Sequence, residues 1–576
     1  MILDNNIIHC LDAKVFTSLT LLRRLSLVRN KLKMSTSYQP GVFESLQNLS
    51  ALDVSRNMNT SEHLDKYNIP VSDLCNLNNE DIANRATEQV LVTYSDQKPP
   101  IMSIEDGIQA KSFFPKPGDV FKAGDADTAI ANSPKKITGS ISWGEQQHFQ
   151  METQISICTP TEDGMDVEAS TQWIDLTQQS TAMVLGVPES SINVRVKRLG
   201  GAYGSKITRN FIVSAGCAIA AQIMKRTVKL NMDFHTNFKM VGRRVSYRAD
   251  YDVGCTNDGL LNGIKIQIYA DLGYLPNENS LPGIVPWMDN AYFCENWKLT
   301  PVAVKTNKPI NTACRAPGST PAIFMMESIM ENVAKELNLD PTAFRTLNLY
   351  KKGQKTPLGN VLNYCNIRQL VPQLMASSDY TSRAAAVQAF NQANRWKKKG
   401  LSVVPIKFGL SYVGVHYNAI VNIYAGDGSI SIAHGGIEMG QGINTKVAQV
   451  CAYELGVPMD LIKIKANTTL ANANDVTTGG SITSELCCLA VINCCQDLKT
   501  RMAPVKAKMK NPTWKEWTQK CIEDKVDLSS RYCVFQPGTE DTRYNSYGVT
   551  CTEVEFDVLT GQHLINRVDI LYDCGE

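Results

Sequence analysis

Residues 198–209 read RLGGAYGSKITR, set between a β-branched run, SINVRVK, and an apolar one, FIVSAGCAIAAQIM. A glycine cluster with a lysine, between an expected strand and an expected helix, gives a backbone that can approach a ligand closely. The helix that follows can lend dipole support to an anion. The two common phosphate readings both fail. A P-loop counted from Gly200 has Ser205 where its second glycine belongs, and Lys206 is followed by Ile207 instead of a magnesium-binding hydroxyl. Gly200, Gly201 and Gly204 do not fit G-x-G-x-x-G, which also belongs in an early βαβ unit.

Segments of the same character recur far along the chain. AHGGIEMGQGINTKVAQV (433–450) leads into an amphipathic helix, and TTGGSITSE (477–485) precedes a cysteine-rich apolar run. NTACRAPGSTP (311–321) places Arg315 in a Pro/Gly loop that opens a helix, and GEQQHFQMETQ (144–154) carries Gln146, Gln147 and His148 ahead of a strand. Each alone reads as an ordinary satisfied loop. Together they are loops able to expose backbone N–H groups to a large, polar, anionic cofactor.

Around these loops, β-rich runs (88–96, 192–199, 259–271, 419–436, 552–573) alternate with expected helices over 107–114, 211–225, 321–337, 367–378 and 445–455. The order has no regular βαβ period, so the fold class expected is α+β. Lys+Arg 58 against Asp+Glu 56 gives a net charge of +2, which favours neither nucleic acid nor an anionic membrane as partner. The apolar stretches 211–224 and 486–495 are too short to span a bilayer and read as buried helices. Seventeen cysteines include no C-x-x-C pair, and CCLAVINCC is poorly placed for tetrahedral zinc. They read as small buried hydrophobes, and free thiols in that number point to a reducing, cytoplasmic location.

The first 60 residues are different. KVFTSLTLLRRLSLVRNKL (14–32) and GVFESLQNLSALDVSRNMN (41–59) align at a period of 27, pairing Phe16 with Phe43, Leu25 with Leu52 and Asn30 with Asn57. Leu22–Leu32 follows the leucine-rich-repeat pattern, although two copies fall short of the three or so that bury a continuous core.

From about residue 84 onward the motifs occur in one order: KPPIMSIEDGI, GEQQHFQMETQ, VKRLGGAYGSK, MDNAY, NTACRAPG, HGGIEMGQGINTK, GGSITSE and YGVTCTEVEFDVLTGQ. In this series the chain resembles the molybdenum-binding part of the xanthine dehydrogenase/aldehyde oxidase family. The resemblance implies a two-lobed molybdopterin-binding domain. The expected division is a leucine-rich-repeat-like segment (1–60), a junction (61–85), a hammerhead-domain remnant and linker (86–130), and two molybdenum-binding lobes (131–380 and 381–576, the second C-terminally truncated).

Carried over position by position, the cofactor-binding residues are Gln146, Gly201, Tyr203, Gly204, Arg315, Gln441, Gly480 and Ser481. Gln146, Tyr203, Arg315 and Gly480 form the molybdenum environment, positioning the metal rather than ligating it. The substrate pocket implied is Ile207, Gly283, Pro317 and Tyr412. Xanthine dehydrogenases carry a glutamate at the position of Ile207, an arginine at that of Gly283 and a purine-stacking aromatic at that of Pro317. Their loss suits aldehydes or N-heterocycles better than xanthine, because purine polar groups would be buried without partners.

The activity implied is hydroxylation with water-derived oxygen, and a homodimer is the family's assembly. The family's FAD and 2Fe-2S centres have no sites in this sequence, and its catalytic glutamate matches a position beyond Glu576. The expectation is therefore a chain that is inactive as written, a fused or truncated gene model, or a pseudogene product, of an aldehyde oxidase. The alternatives are a xanthine dehydrogenase fragment and a non-catalytic leucine-rich-repeat interaction protein.

Overall fold

A computed structural model describes residues 98–115, 118–278, 281–410, 414–535 and 544–575, together with the short strands Arg24–Ser26 and Ala51–Asp53. Those two strands pair in parallel with Leu25 opposite Leu52, an offset equal to the sequence repeat. The rest of the repeat segment, the junction and the expected strand at 88–96 lie outside the described residues.

The remaining chain forms two compact units, each discontinuous in sequence. One comprises residues 1–99, 148–241 and 414–536; the other comprises 100–147, 242–413 and 537–576. The units thus run across both expected lobes, 131–380 and 381–576.

In the first unit, a five-stranded sheet has the order Asn467–Thr468, Ile192–Val196, Met165–Ala169, Ile155–Pro160, Val228–Asn231. Only the pair formed by Met165–Ala169 and Ile192–Val196 is parallel. Helices Ile174–Leu185 and Asn210–Met224 cover it, the second through the small residues Cys217, Ala218 and Ala221, which let helix and sheet approach closely. The core between them holds Cys158, Val167, Val194, Cys217 and Ala221, all fully buried. Full burial of a side chain such as Val194 stabilises by about 1.5–3 kcal/mol.

A second, four-stranded sheet in this unit is built on the hairpin His416–Ile423 and Ile430–His434, turned at Asp427–Gly428. Helices Ile443–Leu455 and Thr483–Lys506 belong to the same unit. The cysteine-rich run lies on the second of these, with Cys487, Cys494 and Cys495 at zero exposure. All fifteen cysteines among the described residues are free thiols.

In the second unit, a five-stranded sheet has the order Phe121–Ala123, Trp297–Val304, Leu261–Asp271, Tyr247–Cys255, Lys135–Trp143. Helix Ser319–Glu336 packs on it through Ala322, Met325, Met326 and Ile329. A three-stranded antiparallel sheet joins Lys397–Leu410, Tyr544–Asp557 and His563–Asp573. Buried charge is paired here. Lys407 Nζ lies 3.2 Å from Asp289 Oδ2, which also accepts the Tyr350 hydroxyl proton at 2.7 Å. Arg345 Nε meets Glu327 at 2.7 Å. These pairs explain the MDNAY motif as structural, since an unpaired charge at such depth is strongly unfavourable.

The architecture is α+β with mixed strand directions, as the sequence implies. The helix expected over 107–114 is instead Ile104–Gln109. Ser103 and Asp106 form a capping box that starts it earlier, and Phe113 leaves it to bridge Val304. No helix among the described residues is long and apolar enough to cross a membrane.

Candidate functional site

The glycine loop sits where the pattern places it, between strand Ile192–Val196 and helix Asn210–Met224. Gly201, Tyr203 and Gly204 all have positive φ (90°, 56° and 100°). Tyr203, a residue that seldom adopts this conformation, is thereby turned outward at 43% exposure. Among the described residues, the N–H groups of Gly201, Ala202 and Tyr203 have no hydrogen-bond partner.

The loop lysine is not offered to a ligand. Lys206 has zero side-chain exposure and pairs with Glu152, whose carboxylate also accepts the Gly200 N–H at 3.0 Å. Burial lowers the Lys206 pKa, and Glu152 opposes that shift. Lys206 is therefore a structural cation, and any anion at this loop meets backbone donors. Ile207, half-buried, donates its N–H to Gly204 O at 3.3 Å.

A residue that sequence reasoning missed holds the loop in place. Gln172 is 3% exposed. Its Oε1 accepts the N–H groups of Gly204 (3.0 Å) and Lys206 (3.3 Å), and its Nε2 donates to Thr478 O at 2.9 Å. The backbone of Gln172 adds two more bonds, to Lys206 O and from Thr478 N–H, each 2.9 Å. One side chain thus joins RLGGAYGSK to TTGGSITSE.

In the second of these loops, Gly480 (φ 69°) and Ser481 (φ 63°) are successive exposed residues in the left-handed region. They precede helix Thr483–Lys506, whose N-terminus has no side-chain cap. Among the described residues, the N–H groups of Gly480, Ser481 and Ile482 have no partner. Consecutive left-handed residues at an uncapped helix start make a concave set of donors suited to an anion or a carbonyl.

Gln441 lies in the same unit, but its amide serves its own loop. It donates to Ile437 O at 2.8 Å and accepts the Met439 N–H at 2.7 Å. Glu438 gathers the N–H groups of Gly440, Gly442 and Asn444 at 2.9–3.1 Å, which holds its carboxyl below the usual range against the opposing effect of burial. His434, fully buried, is pushed down to about 4 and stays neutral, with Nε2 2.9 Å from Asn444 Oδ1.

Beneath these loops lie two buried acids. Asp175 accepts the N–H groups of Asn474 (2.6 Å) and Asp475 (3.1 Å), and Asp475 Oδ1 accepts the Asn418 N–H at 2.9 Å. Burial raises Asp475 to about 8 and Asp175 to about 6, and the charge of Asp175 adds to the shift at Asp475. A Cβ on Gly435 would fall 2.0 Å from Asp475 Oδ2, so the HGG turn requires glycine there.

The other matched positions belong to the second unit. Gln146 is exposed, and its Oε1 accepts Arg244 Nε–H at 2.9 Å. Arg244, 4% exposed, also donates to Arg315 O (2.7 Å) and Ala316 O (3.1 Å). Gln146 and the Arg315 loop are therefore brought together through a residue the motif comparison passed over. Arg315 itself is exposed, and the next residue, Ala316, has φ 57°.

Gly283 and the RAPG loop also meet. A Cβ on Gly318 would fall 2.3 Å from Gly283 O, whereas among the described residues one on Gly283 meets nothing but its chain neighbours within 4 Å. Trp287 lies beside this contact and stacks on Phe408 at 5.7 Å. Pro317 is half-buried there, and Tyr412 lies outside the described residues.

Models of the molybdopterin cofactor-binding domain match residues 113–349 and 373–576. Aldehyde oxidase 1 of Bos taurus is 36% identical over 512 residues, covering 86% of this chain and 38% of that protein. Xanthine dehydrogenase of Dictyostelium discoideum is 34% identical over 512 residues with the same coverage. The chain thus spans little more than a third of these relatives. In fold it is similar to CO dehydrogenase from Oligotropha carboxidovorans (TM-score 0.73, 18% identity, 86% of this chain and 70% of that one). It is also similar to the aldehyde oxidoreductase of Desulfovibrio desulfuricans (TM-score 0.74, 20% identity, 86% and 56%).

Proposed function

The chain belongs to the xanthine dehydrogenase/aldehyde oxidase family, and from that premise we propose that it is the molybdopterin-holding part of an aldehyde oxidase, acting on aldehydes or N-heterocycles. When bound, the cofactor supplies the two-electron chemistry of hydroxylation with water-derived oxygen. The chain's residues bind and orient it. The partnerless N–H groups at Gly201–Tyr203 and Gly480–Ile482 fit its anionic and carbonyl edges. By family position, Gln146 and Arg315, exposed and steadied by Arg244, are the residues matched to its metal-bearing end.

The observation that carries aldehyde over purine is the open space at Gly283. Among the described residues, no atom beyond its chain neighbours lies within 4 Å of the position where a side chain would start, beside Pro317 and the Trp287–Phe408 pair. With Ile207 uncharged as well, neither the glutamate position nor the arginine position of the purine pocket carries a hydrogen-bonding side chain that would repay burial of a purine. The test uses the full chain purified from a molybdopterin-producing host. Molybdenum and pterin should copurify with it, and quinoline should bind about tenfold or more tighter than xanthine, the scale set by a buried polar group left unpaired. Absence of molybdenum, or tighter binding of xanthine, overturns the proposal. The Gly283→Arg variant should shift the ratio towards xanthine.

The parallel pairing of Arg24–Ser26 with Ala51–Asp53 at the repeat offset supports a second, separate element, a leucine-rich-repeat-like N-terminal segment.

A further inference from the structure

Arg244 and Arg243 are adjacent but differently placed. Arg243 has 53% side-chain exposure and pairs with Glu145 at 2.7 Å. Arg244 is buried, with three of its side-chain N–H groups committed to Gln146 Oε1, Arg315 O and Ala316 O, while its backbone N–H donates to Gln146 O at 2.8 Å. A guanidinium has donors only, and a carboxamide has one acceptor oxygen and one donor nitrogen. Only Oε1 of Gln146 can therefore face Arg244; the reverse orientation would set two donors against each other. The outward atom of this exposed side chain is then Nε2, a donor. The same guanidinium fixes the carbonyls of a turn whose Ala316 is held in the left-handed region, which sets where Arg315 leaves the backbone.

We propose that Arg244 is a positioning residue that locks Gln146 as a hydrogen-bond donor toward an acceptor oxygen of the cofactor's metal centre. The proposal rests on the reading that Gln146 lies beside that centre. Arg244→Lys separates the two duties. A lysine ammonium reaches the turn carbonyls from one point, but it cannot reproduce the fork that also serves Gln146.

The experiment uses the full chain from a molybdopterin-producing host, as wild type, Gln146→Leu, Arg244→Lys and the double variant. It reads molybdenum per chain, the thermal midpoint, and the molybdenum–oxygen stretching band by resonance Raman. Each single variant should lower molybdenum content about tenfold, the low end for groups that orient a metal site. Each should also shift the band upward by the same amount, and the double variant should add nothing further.

Content and band unchanged in Gln146→Leu would overturn the reading that Gln146 faces the cofactor. Losses in Gln146→Leu that Arg244→Lys fails to reproduce, or that add in the double variant, would overturn the role of Arg244 alone. If Arg244→Lys melts early, Gln146→Glu decides the matter. It keeps an acceptor for Arg244 while turning the outward atom into an acceptor, so it should lose molybdenum as Gln146→Leu does; retention overturns the proposal.

Discussion

Gln172→Leu should destabilise the chain by about 3–9 kcal/mol and strip it of molybdenum. The substitution keeps the volume and removes every polar contact of the side chain. Two N–H groups, of Gly204 and Lys206, and one carbonyl, of Thr478, lose their partner at a residue only 3% exposed. Each buried backbone group left unsatisfied costs about 1–3 kcal/mol. The loss is also positional. Gln172 ties the loop at Gly201–Tyr203 to the loop at Gly480–Ile482, so both sets of open donors lose their geometry together. Denaturant unfolding of the full chain and molybdenum analysis of the same preparation check the two parts. A variant within about 1 kcal/mol of wild type with full cofactor would show that the bridge is dispensable.

Asp475→Asn should raise stability, and by an amount that grows with pH. The carboxyl is held near about 8 by burial and by Asp175, against about 3.9 in an unfolded chain. The folded state therefore binds this proton more tightly than the unfolded state. Its contribution is fully present below about pH 4 and is lost as pH rises towards 8. Within that window each pH unit costs about 1.4 kcal/mol, which the neutral amide does not lose. Asparagine can keep an acceptor for the Asn418 N–H, and its NH2 falls where Oδ2 has no partner.

Thermal unfolding from pH 5 to pH 8.5 should show the wild type falling steeply and the variant more gently. Asp175, raised to about 6, leaves some slope in both. Equal slopes would mean that Asp475 is ionised in the folded protein throughout.

How much of this was legible depends on the range of the interactions involved. Strand Ile192–Val196, helix Asn210–Met224 and the glycine turn between them follow from neighbours in the chain: β-branched residues, then glycines, then a run of small apolar residues. The hairpin around Asp427–Gly428 and the buried cysteine helix follow in the same way. The one displaced helix, Ile104–Gln109, was also written locally, in the Ser103–Asp106 capping box, a signal that the apolar pattern overshadowed. The ordered motifs carried the family.

What the loops do with their polar groups was not written locally. Lys206 invites a phosphate in sequence, but its partner is Glu152, 54 residues away. Gln172 reaches Thr478 across 306 positions, and Arg244 reaches Gln146 across 98. The charge of Asp175 raises the pKa of Asp475 from 300 positions away.

The sequence by itself determined the locally signalled elements, the α+β class, the glycine-rich loops and the family. The tertiary structure decided which polar groups are already spent and which remain for a ligand. Secondary structure is set by contacts a few residues apart, whereas a buried donor or acceptor must find its partner wherever the fold brings one. The entropy of closing such a loop grows only logarithmically with its length, so distance along the chain hardly disfavours a remote partner.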